Sequence, residues 1–189
     1  MGRMVQKISR SQALIMEIRE ISSIYSALPQ CGAFLNIIAD ESVRHVYLKG
    51  LLASSASVFF AAVGKESEKR KEKSEKVKGK SEKSGEKSTL TSVFILQDND
   101  EAGYFYHDLT QILGTDNVLF FPSSYRRAVK YAQRDAANEI LRTETLSRLA
   151  AVSGNAKKRA DNSETAPFLY VVTCPEALSE LVVSKRRLD

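Results

Sequence analysis

A chain of 189 residues, 43 % apolar and 27 % charged, is long enough for one real core and ordinary enough in composition to be globular. It contains no run of about 18 apolar residues, so no membrane span is expected, and its opening MGRMVQKISRSQ lacks the apolar centre of a secretion signal. The formal charge of +5 is not spread over the chain: residues 64–88 carry ten Lys or Arg against six Glu, which is +4 of it, so basicity belongs to one segment and not to a nucleic-acid-binding body.

Residues 12–28, QALIMEIREISSIYSAL, place Leu14, Ile18, Ile21, Tyr25 and Leu28 at alternating steps of four and three, the spacing of one apolar helix face. Pro29 is expected to stop this helix, and a shorter one is expected around GAFLNIIA. Cys31 and Cys174 lie far apart and suit free thiols in a reducing, cytoplasmic setting. His45 and His107 each stand alone and read as structural residues, so no metal site is expected.

The stretch LKGLLASSASVFF has the outline of a phosphate-binding loop. An apolar run at 43–48, VRHVYL, predicts a strand; Gly50 follows, and small residues lead into a helix. Set on Gly50, the pattern G-x-x-x-x-G-K-[S/T] puts Ser55 at the second glycine, Ala56 at the lysine and Ser57 at the hydroxyl position. Ala56 brings neither charge nor donor to a phosphate. The degenerate loop of Gly50, Ser54, Ser55, Ala56 and Ser57 is therefore not expected to hold a nucleotide.

The charged segment 64–88 has one aliphatic residue, Val77, and no aromatics. Such a composition cannot bury enough apolar surface to offset the entropy of ordering. It reads as a flexible insertion, with Gly79 and Gly85 weighing against a stable helix. Three regions follow: 1–63, with the first helices, strand and degenerate loop; the insertion 64–89; and 90–189, the rest of one α/β domain.

Beyond the insertion, strands and helices alternate. TSVFILQ (91–97) is a strand. Residues 98–114 form a helix capped by Asp98 or Asp100 and ended at Gly114, with Ala102, Phe105, Leu109 and Ile112 on its inner face. DNVLFFPS (116–123) is a strand, and 135–152 a helix with Ile140, Leu141, Leu146 and Leu149 as candidate core. FLYVVT (168–173) is the last strand, before a helix opened by Pro175. Continuous apolar strands alternating with helices predict an α/β fold, a mostly parallel sheet with helices on both faces and right-handed crossovers. Between the second of these strands and its helix lies SSYRRAVKYAQR; if helical, it sets Arg126, Lys130 and Arg134 on one stripe with Arg127 beside it, a surface for DNA phosphates or an acidic partner.

LKGLLASSASVFF, the FFPS strand end, the R-x-E-x-L-x-x-L helix segment from Arg142 to Leu149, and TCPEAL after the final strand occur in an order and spacing that resemble the N-terminus of bacterial transcription-repair coupling factors, the Mfd family. The resemblance covers most of residues 12–183 apart from the insertion. It implies a RecA-like, UvrB-like first subdomain whose phosphate loop is degenerate. It also implies a parent that is an ATP-dependent DNA translocase, which removes stalled RNA polymerase and recruits the nucleotide-excision repair protein UvrA. ATP and Mg²⁺ would then belong to a motor far downstream, and the main UvrA-binding subdomain would begin near VVSKRRLD, where this chain ends. The missing lysine carries over at Ala56. The final strand, ending in Thr173 and Cys174, also lacks the acidic residue that grips Mg²⁺ in a working ATPase. The expected role is a non-catalytic interaction or autoinhibitory module. A nucleic-acid binder acting through the basic insertion and a stand-alone ATPase with an atypical loop are the alternatives.

Overall fold

The computed structural model describes residues 20–77, 91–125, 134–159 and 168–182. The chain divides into two compact units, Met1–Val77 and Lys78–Asp189.

The described part of the first unit is helical. Helix α1 (Glu20–Ala27) and helix α2 (Pro29–Ile38) meet at 62° across Leu28. Pro29 does end α1, as expected, but it also opens α2, because a proline costs nothing at a first-turn position whose N–H has no helical partner. Helix α3 (Ser55–Val77) packs on α2. Their shared core is Cys31, Leu35, Phe59, Ala62 and Val63, flanked by Tyr25, Phe34, Leu51 and Phe60. Phe34, Phe59 and Phe60 meet edge to face, with ring centroids 5.5–6.0 Å apart, the arrangement that the ring quadrupole favours. On α1 the expected inner face turns out only partly inner. Ser22 is buried, whereas Ile21 and Leu28 remain exposed. Residues 12–19 lie outside the described residues.

Two expectations fail in this unit. The first is the strand at 43–48. These residues run without a ladder partner, and Val43, Val46, Tyr47 and Leu48 are exposed. A strand exists only where a neighbour takes its amides, and the described residues of this unit contain helices alone. The second is the flexible insertion. Its first part, 64–77, continues α3 without a break; residues 78–90 lie outside the described residues. The apolar half of α3, VFFAAV, is anchored in the core and supplies the costly nucleus, so the charged half only has to propagate. Glu66 pairs with Lys69 and Arg70 at steps of three and four. Arg70 Nη1 donates to Asn36 Oδ1 of α2 at 2.8 Å, and Lys65 Nζ donates to Ser22 Oγ of α1 at 3.3 Å.

The second unit is α/β, as expected. It comprises β1 (Thr91–Ile95), α4 (Asn99–Leu113), β2 (Val118–Phe121), α5 (Ala136–Arg159), β3 (Leu169–Thr173) and α6 (Pro175–Ser179). The three strands form one parallel sheet in the order β1-β3-β2, so the last strand in sequence is central. Val171 pairs with Val93 on one side and Leu119 on the other; Val172 pairs with Phe94 and Phe120. All five residues of β3 are buried, which explains its unbroken apolar sequence. Helix α4 covers β2 and β3, with Tyr106 stacked on Phe120 at 5.1 Å and Phe105 against Phe94 at 5.0 Å. Helix α5 packs on β2.

Helix α4 starts where its sequence says it must. Asp98 accepts hydrogen bonds from the backbone N–H of Asp100 and Glu101, and Gly114 closes the helix at φ 82°, a left-handed conformation that favours glycine. Replacing Asp98 by Ala should cost about 1 kcal/mol of unfolding free energy, read as a lower urea midpoint with an unchanged slope.

Candidate functional site

In an open parallel sheet, ligands settle at the carboxyl ends of the strands, so that edge is where a site should be sought. Here it is built from the FFPSSY segment after β2. Five consecutive carbonyls leave this segment, and each meets a specific donor. Phe120 O accepts from Thr145 Oγ1 at 3.0 Å and Phe121 O from Thr173 Oγ1 at 2.8 Å. Pro122 O accepts from Arg142 Nη1 at 2.7 Å and Ser123 O from Asn138 Nδ2 at 2.8 Å. Ser124 O accepts from the backbone N–H of Asp135 at 2.7 Å. Asn138, Arg142 and Thr145 follow at steps of four and three, so one face of α5 delivers all three. On that helix Ile140, expected in the core, is exposed, and the buried residues among its described side chains are Arg142 and Thr145. The strand end needs donors more than it needs apolar cover.

The centre of this edge is an ion pair. Arg142 is only 6 % exposed, and its guanidinium lies over the Phe121 ring, 4.1 Å from the centroid. Besides Pro122 O, Nη1 reaches Ala177 O at 3.1 Å and Glu180 Oε2 at 3.4 Å. Nη2 is buried and has no hydrogen-bond partner among the described residues. The Glu180 carboxylate also accepts from Ser123 Oγ at 2.6 Å, from Ser124 Oγ at 2.5 Å, and from the Ser124 backbone N–H at 3.0 Å. Asn99 Oδ1, at the first residue of α4, accepts the Ser123 N–H at 3.0 Å. Burial by itself pushes the Glu180 carboxyl up; the hydrogen bonds from Ser123 and Ser124, helped by the charge of Arg142, outweigh it and hold the group below its usual range.

The residues singled out in the sequence fall elsewhere. Gly50 has φ 90° and Ala53 φ 47°, so a turn does precede α3. Ser54 is exposed, Ser55 and Ala56 are half-buried in the first turn of the helix, and Ser57 is buried. Turn and helix are thus present, while the strand that should lead into them is not. Of the basic stripe, Arg126, Arg127 and Lys130 lie outside the described residues. Arg134 is not helical: it forms an antiparallel bridge with Tyr125, stands 6.0 Å over that ring and pairs with Glu139 at 2.9 Å. The two ends of SSYRRAVKYAQR are therefore drawn together, which a single helix over the whole segment forbids. His45 and His107 are both exposed. Thr173, the last residue of β3, is buried, and its hydroxyl donates to Phe121 O.

Arg142, Glu180, Ser123 and Ser124 were missed as a group, although three of the quoted motifs, FFPS, R-x-E-x-L-x-x-L and TCPEAL, converge on them. The signal was available in the helix: Asn138, Arg142 and Thr145 repeat polar side chains at the period of one face.

No protein-family model matches this chain, and no curated protein or solved structure is significantly similar to it. Among the described residues no single helix is long and apolar enough to cross a membrane.

The pair and its hydrogen bonds set a pH dependence with a definite sign. Glu180 binds its proton more weakly folded than unfolded, so its contribution is complete above the unfolded carboxyl value of about 4.3 and is lost as pH falls through the lower folded value. Urea midpoints between pH 3 and 7 should show this loss in the native sequence and a shallower one in Glu180→Gln. Arg142→Ala, which takes the donor from the carbonyls of Pro122 and Ala177, should cost about 1–3 kcal/mol for each carbonyl.

Proposed function

We propose that this chain is a non-catalytic interaction module of a transcription-repair coupling factor, related to the RecA-like, UvrB-like first subdomain of that family. The observation that carries the reading is the ordered set of resembling segments in the sequence. The parallel α/β unit of three strands, with the central strand contributed last, is compatible with such a subdomain. So is the meeting of FFPS, the Arg142 helix segment and TCPEAL at one carboxyl edge, which gives these motifs a common structural reason to occur together.

On this reading the module works in the cytoplasm through surface contact. It docks on other modules of the parent chain, restrains the parent motor or assists UvrA recruitment, while ATP, Mg²⁺, DNA and RNA polymerase are handled by the parent. The substitution of Ala56 for the phosphate-loop lysine argues against nucleotide chemistry in this module. Titration with MgATP up to millimolar concentration should give no binding heat; micromolar binding would replace this reading with that of an ATPase with an atypical loop. Purified UvrA should co-elute with the parent protein and lose affinity when this module is deleted. Unchanged affinity and unchanged ATPase rate of the parent would together remove both proposed roles.

A second reading rests on α3. Lys69 and Lys73 are exposed one turn apart on its charged half, a spacing that can follow nucleic-acid phosphates. Because residues 64–77 belong to a packed helix, deleting them would unmake the unit, and neutral substitution is the cleaner probe. If this reading holds, Lys69→Gln with Lys73→Gln should weaken DNA binding and lower its salt slope by about 2; an unchanged slope removes it.

A further inference from the structure

Four donors from the segment after β2 and from α5 converge on one carboxylate: two serine hydroxyls, one backbone amide and one buried guanidinium. They are a complete first layer for an anion, and they stand at the carboxyl edge of a parallel sheet, where ligands of such folds are held. The carboxylate that fills this position comes from a short and loosely held element. Helix α6 spans five residues, of which only Ala177 is buried; Leu178 is half exposed, and Leu181, the residue after Glu180, is 97 % exposed. Glu180 can therefore swing out without opening the core. The donors cannot: Ser123 and Ser124 are 6 % and 5 % exposed, Asn99 and Asn138 hold Ser123 through its N–H and carbonyl, and Arg142 is clamped by Pro122 and Ala177.

The site is also richer than its occupant. Both oxygens of Glu180 are used, and Nη2 of Arg142 is still buried without a hydrogen-bond partner among the described residues. A guanidinium is a two-pronged donor suited to an oxyanion, and a terminal phosphate offers three acceptor oxygens where a carboxylate offers two. We propose that Ser123, Ser124 and Arg142 form a binding site for a terminal phosphate group, which Glu180 occupies as an intramolecular stand-in. Phosphate and Glu180 then exclude each other. Arg142 is never left without a counter-charge, because one anion leaves as the other arrives. The bound state releases Glu180 and the residues that follow it, so occupancy is transmitted to the exposed apolar pair Leu181 and Val182. This inference is independent of the proposed parentage.

Inorganic phosphate is the probe, titrated by calorimetry into the full chain and into Glu180→Gln and Glu180→Ala. Removing a tethered competitor raises apparent affinity by the fraction of time it held the site. Phosphate should bind at least tenfold more tightly to Glu180→Ala than to the native sequence, with Glu180→Gln shifted in the same direction. Adding Ser123→Ala and Ser124→Ala to Glu180→Gln should reverse the gain at least tenfold. Circular dichroism checks that each variant is folded; if Glu180→Ala is not, Glu180→Gln, which keeps acceptors for the serines, decides alone. Equal affinity with and without Glu180, or binding that ignores the two serines, means an adventitious ion only and overturns the proposal. A parallel titration with glycerol 3-phosphate separates the sources: equal affinity assigns the site to free phosphate, and tighter binding assigns it to a phosphomonoester.

Discussion

A buried guanidinium has few tolerable surroundings, and the second unit is organised around supplying them to Arg142. A charge removed from water costs several kcal/mol unless it is paired and hydrogen-bonded. Arg142 finds a carboxylate in Glu180, carbonyls at Pro122 and Ala177, and the face of Phe121. Those partners come from the end of β2, from α6 and from the residue beyond it. The desolvation cost is repaid only when β2, α5 and α6 have reached their native places together. Such a pair adds little net stability and much selectivity, since a slipped α5 would strand the charge against the sheet.

The same constraint explains why α5 presents a polar face to the sheet. The backbone leaves β2 through Pro122, Ser123 and Ser124, all buried, and their carbonyls have no strand neighbour to bond. Asn138, Arg142 and the backbone N–H of Asp135 take them one by one, and a buried carbonyl left unmatched would cost about 1–3 kcal/mol. The first unit solves a different problem by different means. Its core is apolar and aromatic, built on Cys31, Leu35 and Phe59, and its polar contacts, such as Arg70 with Asn36, tie α3 to α2 from outside.

How far the sequence could be read follows from where each element gets its stability. Helix α4 carries its own signals, a capping Asp98, an amphipathic face and a closing Gly114, and these hold in the structure. Strands β2 and β3 are short apolar runs with Pro122 or Pro175 behind them, and both form. The failures are elements decided by partners. Residues 43–48 have strand composition but no neighbour to pair with among the described residues of their unit. Residues 64–77 lack the composition of a packed segment, yet a helix nucleated at Phe59 and Phe60 carries them along. In α5, periodicity drew attention to apolar residues and away from Arg142, whose burial depends on Glu180, 38 positions later in the sequence. Composition and period describe what a segment can do alone; the candidate site is made wholly of what three distant segments do to one another.

That distance also bears on the phosphate loop. A working loop of this kind and the cluster at Arg142 are two ways of furnishing a parallel sheet with an anion site. The first uses backbone amides, two glycines and a mobile lysine, and the sequence has Ser55 in place of the second glycine and Ala56 in place of the lysine. The second uses side chains locked by packing, and it is complete except for one nitrogen. A lysine on a flexible stem can follow a phosphate through transfer, which hydrolysis demands. An arginine fixed over Phe121 and clamped by two carbonyls cannot follow anything. Its geometry suits recognition of an anion at rest, with Glu180 in place or displaced, and so favours a two-state contact over turnover.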